Sequence, residues 1–315
     1  MLSPLAEIEV PMLERWAQAI GPDWAGFEVG GLLGVILITA ICGMVGALVV
    51  GNRMAFFSDA MAHCAFAGIS LGLLIALTAG YTAGSDELEL LVPIIMAAFG
   101  ALVGVGIAFV GQTTNLASDT VIGVFFAGAV GFGAMILQGF PERRAFDPER
   151  FFWGGPYAVN PRDLLILLIL LAVTILYFLV RYNQLVLASF NPTLARSRGI
   201  QVALNNYLFI LLLALIVNFS ILAVGVLLIN ALLIVPAAIA SNFAMSMRQM
   251  FRWTFSLSVV IGLVGVYISW HSWFKLGAGP PRQFGLSGTI VCVGVAFFVL
   301  SMALRYARHK FAHLG

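Results

Sequence analysis

Asp59 and His63 stand four residues apart in NRMAFFSDAMAHCAF (52–66), an otherwise apolar stretch. On an α-helix, side chains four apart share one face, one turn up, with Cβ atoms about 6 Å apart. A carboxylate and an imidazole presented together suit the borderline divalent metals Zn²⁺, Mn²⁺ and Fe²⁺. One copy supplies only two ligands. Two copies meeting with this helix near a two-fold axis would supply two Asp and two His, enough for a four-ligand site. The plainer roles for the same pair are a structural hydrogen bond between helices, or a cap by Asp59 near the start of its helix. Cys64 lies about 100° round the helix from His63 and is not counted as a ligand.

The elements that must position this pair are membrane spans. The 315 residues are 61% hydrophobic and 10% charged, where a soluble domain would carry about a quarter charged residues. Runs of about 20 apolar residues follow one another, the pattern of an all-α, polytopic transmembrane bundle. The short alternating segments of a β-barrel are absent. Candidate spans fall at about 30–50, 59–79, 91–110, 121–138, 164–180, 207–222, 224–240, 255–273 and 287–304. The 207–240 stretch reads as two short spans or as one span and a broken helix, so eight or nine spans fit. In such a bundle an ionisable pair marks an ion path or a ligand site by default.

Residues 1–29 form an N-terminal segment with five acids against Arg15 alone, unlike a basic leader peptide. Trp16 and Trp24 suit interfacial anchors there. With this segment outside the cell, the inner loops hold Arg53, Arg181, Arg196, Arg198, Arg248, Arg252, Arg305, Arg308 and Lys310, in the sense of the positive-inside rule. Residues 30–305 then form the transmembrane domain and 306–315 a basic cytosolic tail. Two hydrophilic connections stand out: 141–163, placed outside, and 181–201, placed inside. In the inner one Asn191 suits an N-cap, Pro192 the first helical position and Gly199 a C-terminal stop. That punctuation predicts a short cytosolic helix within 190–199, either a grip for a soluble partner or an ordinary surface helix.

Other features carry less. GISLG (68–72) fits a hydrolase elbow pattern but lies inside an apolar helix, so Gly68 and Gly72 read as small-residue packing positions, like Gly100 and Gly104. Pro236 within a span predicts a kink or break. Cys42, Cys64 and Cys292 read as buried, inert thiols. His271, His309 and His313 fall at span ends or in the tail. No basic, aromatic-interleaved face suggests nucleic acid. No G-x-x-x-x-G-K-[ST] occurs, so if transport uses ATP, another subunit must bind it.

RMAFFSDAMAHCAFAG (53–68) resembles the signature stretch of permease subunits of ABC-type zinc, manganese and iron importers. SDTVIGVFFAGAVGFG (118–133) and GVLLINALLIVPAAIA (225–240) resemble two further segments of that family. The resemblance implies a type II ABC-importer-like permease: a homodimer in the bacterial inner membrane, served by cytosolic ABC ATPase subunits and an extracytoplasmic metal-binding protein. It implies no tightly bound cofactor. Zn²⁺, Mn²⁺ or Fe²⁺ would be the cargo, ATP would be held by the partner, and Asp59 and His63 would line the path. It also implies a coupling segment carried here by Phe190, Asn191, Pro192, Ala195 and Gly199, and packing or kink positions at Gly68, Gly225 and Pro236. The chain departs from the family pattern at Ser58 (usually Gly), Ala67 (usually Pro), Asn191 (usually Asp) and Asn230 (more often Ser). The rival readings are an ATPase-independent metal channel or secondary transporter, which predicts inverted repeats and several intramembrane charges, and an intramembrane metalloenzyme, which predicts an H-E-x-x-H or equivalent. Neither set of features is present in the sequence.

Overall fold

The computed structural model describes residues 25–81, 86–114, 116–139, 154, 161–274 and 282–312. The expectations for residues 1–24, for most of the 141–163 connection and for His313 lie outside them. The helices are α1 (Ala25–Gly51), α2 (Ala55–Thr78), α3 (Asp86–Thr113), α4 (Ser118–Gln138), α5 (Pro161–Phe190), the short α6 (Pro192–Ser197), α7 (Val202–Val224), α8 (Val226–Phe243), α9 (Met247–His271) and α10 (Leu286–Ala312). An antiparallel pair of two-residue strands, β1 (Trp273–Phe274) and β2 (Arg282–Gln283), links α9 to α10.

Among the described residues nine helices are long and apolar enough to cross a membrane. The 207–240 stretch is two helices, α7 and α8, and Gly225 is the break. Its backbone sits at φ +83°, ψ 162°, a region open essentially to glycine alone. Pro236, by contrast, breaks nothing: α8 runs through it from Val226 to Phe243. Successive long helices run up and down the bundle. Consistent with that, the α1–α2 turn, the end of α3, the start of α4, the end of α5 and the start of α7 line two shared cavities at one end of the bundle.

The 181–201 connection is much shorter than expected, because α5 continues to Phe190. Its added turns carry polar residues that find partners in the fold. Arg181 donates to Gln184 Oε1 at 2.8 Å and to Asn205 Oδ1 at 3.2 Å, and the Tyr177 hydroxyl donates to the Asn205 carbonyl at 3.4 Å. Hydropathy alone misses such a helix end, since its polar face is satisfied against α7 rather than by water.

Helix α2 sits at the centre, packed on α3, α4, α7 and α8, while α1 packs on α5, α8 and α9. Lipid tails are as apolar as leucine, so close backbone approach through small residues drives such packing. A Cβ on Gly68 would stand 2.7 Å from the Met96 Cα, one on Gly72 3.2 Å from the Val92 Cα, and one on Gly133 2.9 Å from the Ala67 Cα. Gly104 would come within 3.3 Å of the Ala214 Cβ. Buried polar groups add a few ties: the Ser258 hydroxyl of α9 donates to the Thr39 carbonyl of α1 at 2.8 Å. Cys42 and Cys64 are buried, but Cys292 lies on the exposed side of α10, because that helix covers the rest of the bundle with one face only.

Replacing Gly225 with alanine is expected to cost about 1–3 kcal/mol through its forced backbone conformation. The check is the thermal unfolding midpoint in detergent, which should fall clearly below wild type while neighbouring apolar swaps leave it unchanged.

Candidate functional site

Helix α2 starts at Ala55, after a tight turn in which the Met54 amide donates to the Val49 carbonyl at 2.9 Å and Arg53 takes φ +57°. Met54 occupies the N-cap position without a side-chain bond. Asp59 therefore does not cap the helix; it sits in the second turn, on one face with His63. The two side chains rise together from α2 and meet α8 on one side and α4 on the other.

His63 is held at two points. Its Nδ1 lies 2.9 Å from the Asp59 backbone carbonyl, and since a carbonyl only accepts, Nδ1 carries the proton. In a neutral ring with this tautomer Nε2 carries the lone pair, the form in which imidazole binds a metal. The Phe126 ring of α4 packs edge-on against the imidazole at 4.7 Å, an arrangement that fixes the ring plane. The carboxylate is 3.9 Å from His63 Nδ1, too long for a hydrogen bond. Its own partner comes from α8: Asn230 Nδ2 donates to Asp59 Oδ1 at 2.9 Å. The second oxygen, Oδ2, has no hydrogen-bond partner among the described residues.

Asp59 is 49% exposed at the side chain and His63 27%, so the pair opens onto the protomer's surface rather than into a sealed cavity. Among the described residues no three His, Cys, Asp or Glu side chains gather as a metal site. A single protomer therefore brings only two such side chains together here, Asp59 and His63. Cys64 points away and is buried. Asn230 is the member that the sequence did not assign, standing out only as a departure from a family pattern. The available signal was an amide in the middle of an apolar segment, where such a group must find a partner.

At the cavity-lined end of the bundle lies α6. The Asn191 side chain accepts from the Leu194 amide at 2.9 Å, and Pro192 stands in the first turn. Gly199 takes φ +75°, its amide donates to the Arg196 carbonyl at 3.0 Å, and the Ile200 amide donates to the Ala195 carbonyl at 3.0 Å. These bonds form a Schellman stop. Ala195 is fully buried, anchoring the helix on the bundle, while Pro192, Thr193, Leu194, Arg196 and Arg198 are exposed. Phe190 ends α5 and precedes the cap. The adjoining cavities, of about 420 and 350 Å³, are lined by Arg196 and by Arg53 respectively, with Asn52, Gln112, Ser189 and Asn206 common to both.

Comparison with known proteins agrees with this architecture. The model of the ABC 3 transport family matches residues 27–305, so the chain belongs to that family, as a multi-pass membrane protein. Manganese transport system membrane protein MntC of Listeria innocua is 25% identical over 90% of this chain and 95% of the relative. High-affinity zinc uptake system membrane protein ZnuB of Haemophilus influenzae is 26% identical over 87% of this chain and 96% of the relative. The solved structure of PsaBC from Streptococcus pneumoniae in complex with Fab shares the fold, with a TM-score of 0.69 at 23% identity, covering 92% of this chain and 95% of that one.

Removing the α6 cap by Asn191→Ala should cost about 0.5–2 kcal/mol of local stability. Hydrogen exchange at the Leu194 amide, followed by mass spectrometry, should speed up correspondingly while exchange in α7 stays at the wild-type rate.

Proposed function

We propose that this member of the ABC 3 transport family is the permease subunit of an importer that brings a divalent transition metal, Mn²⁺ or Zn²⁺, across the bacterial inner membrane. The observation that carries the reading is the Asp59–His63 pair: an imidazole and a carboxylate on one face of α2, each with one atom free of hydrogen bonds among the described residues and both part-exposed at the protomer's surface. Two copies meeting at this face bring two imidazoles and two carboxylates around one ion. The names of the relatives support manganese or zinc as the cargo.

In the proposed cycle an extracytoplasmic binding protein delivers the ion, and the shared pair holds it in transit. A transit site must bind well enough to take an ion and weakly enough to let it leave. Ligands divided between two movable protomers meet both demands, since parting them halves the coordination. ATP hydrolysis belongs to a cytosolic partner that grips α6 through its exposed Pro192, Thr193, Leu194 and Arg196. The capped, anchored form of α6 supports its transmitting force as a rigid unit. Residues 30–305 serve as the permease domain, with 306–315 as a cytosolic end.

His63→Ala should reduce metal uptake by about tenfold or more, given that loss of even an outer-shell partner costs 10–100-fold at metal sites. The assay is uptake of radioactive Mn²⁺ or Zn²⁺ by cells that depend on the assembled transporter, with the variant shown to be inserted at wild-type level. Uptake at the wild-type rate would overturn the assignment.

A further inference from the structure

The Asn230 amide touches the Asp59 carboxylate and no ligand position of its own. Its Nδ2 donates to Oδ1 at 2.9 Å across the α2–α8 contact, while its own Oδ1 is buried with no hydrogen-bond partner among the described residues. The amide is therefore turned wholly toward the carboxylate, at the expense of an unsatisfied carbonyl. For helix packing alone this is a poor choice: an apolar side chain of the same size would carry no such penalty. The bond also distinguishes the two oxygens of Asp59: Oδ1, which lies 3.9 Å from His63 Nδ1, is engaged by the amide, and Oδ2 has no hydrogen bond among the described residues.

We propose that Asn230 is a positioning residue that sets metal selectivity by holding Asp59 to one-oxygen coordination. This rests on the reading of Asp59 and His63 as ligands of the transported ion. Ca²⁺ takes six to eight oxygens and commonly draws on both oxygens of a carboxylate, whereas Zn²⁺ and Mn²⁺ accept smaller sets that include imidazole. With Oδ1 engaged, two protomers offer two oxygens and two nitrogens, a poor set for Ca²⁺. Freed of the amide, each carboxylate could turn and bite with both oxygens. The site would then admit Ca²⁺ more readily, while its imidazoles went on serving Mn²⁺.

The test uses the full-length protein in lipid nanodiscs, with Mn²⁺ binding measured alone and in competition with Ca²⁺. The variants are Asn230→Leu, which keeps the branched shape and removes the donor, and Asn230→Ala, the smaller residue without a donor. Asn230→Gln is the conservative variant that restores an amide, and His63→Ala is the control for the site itself. Ca²⁺ should displace Mn²⁺ more effectively in the Leu and Ala variants, by about tenfold or more, the scale of one hydrogen bond to a charged group. The Gln variant should recover part of the discrimination. If the Leu and Ala variants compete with Ca²⁺ like wild type while His63→Ala loses Mn²⁺, Asn230 only packs and the selectivity proposal fails by itself. If His63→Ala binds Mn²⁺ like wild type, the ligand assignment beneath it fails. A Leu variant that does not fold leaves the Ala variant to decide by the same ratio.

Discussion

A carboxylate in the membrane interior is tolerated only if something in the protein takes the place of water. Asp59 meets that constraint with a hydrogen bond from Asn230 and with an opening at the protomer's surface. A charged side chain within a span costs up to about 2.5–3.5 kcal/mol, the insertion-scale value at its centre, so its partners constrain the helices around it. Helix α8 must present an amide at this level, α4 must place Phe126 against the neighbouring imidazole, and α2 must stand where α8 and α4 both reach it. The small residues along α2 allow that approach, with Gly68 and Gly72 against α3 and Ala67 against Gly133 of α4.

The same central position joins the pair to the end of the bundle that carries α6. That helix packs on α5 and α7, and α7 packs in turn on α2. A rigid displacement of α6 thus has a contiguous path of packed helices to the helix that carries Asp59 and His63. Contiguity supplies a route without measuring coupling along it. The features of α6 suit a part that is pushed: closed at both ends by its own hydrogen bonds, fixed by buried Ala195, and exposed on its outer side.

Most of the bundle was legible in the sequence because apolar runs must be helices in a membrane. The α6 punctuation was legible because glycine, proline and asparagine act through local backbone geometry, whereas Gly225 stood only as a packing or kink position and the break it makes was one of two readings of 207–240. What hydropathy missed were the polar ends. The last ten residues of α5 looked like loop, since Arg181, Asn183 and Gln184 lower the mean, yet Arg181 and Gln184 are satisfied by Asn205 from α7. Pro236 suggested a kink or a break, and the helix runs on through it without a break. Asp59 and His63 could be paired by spacing alone, because four residues make one helical turn. Asn230 could not, because its partner lies 171 positions away in the chain and only the tertiary fold brings them together.

The central claim is that each protomer contributes half of an ion site. The most direct measurement is native mass spectrometry of the full-length protein released from nanodiscs after equilibration with Mn²⁺ or Zn²⁺. The account predicts one ion per two chains, absent from monomers and absent when Asp59 and His63 are both replaced by alanine. One ion on each single chain, or an ion retained without both side chains, would contradict it.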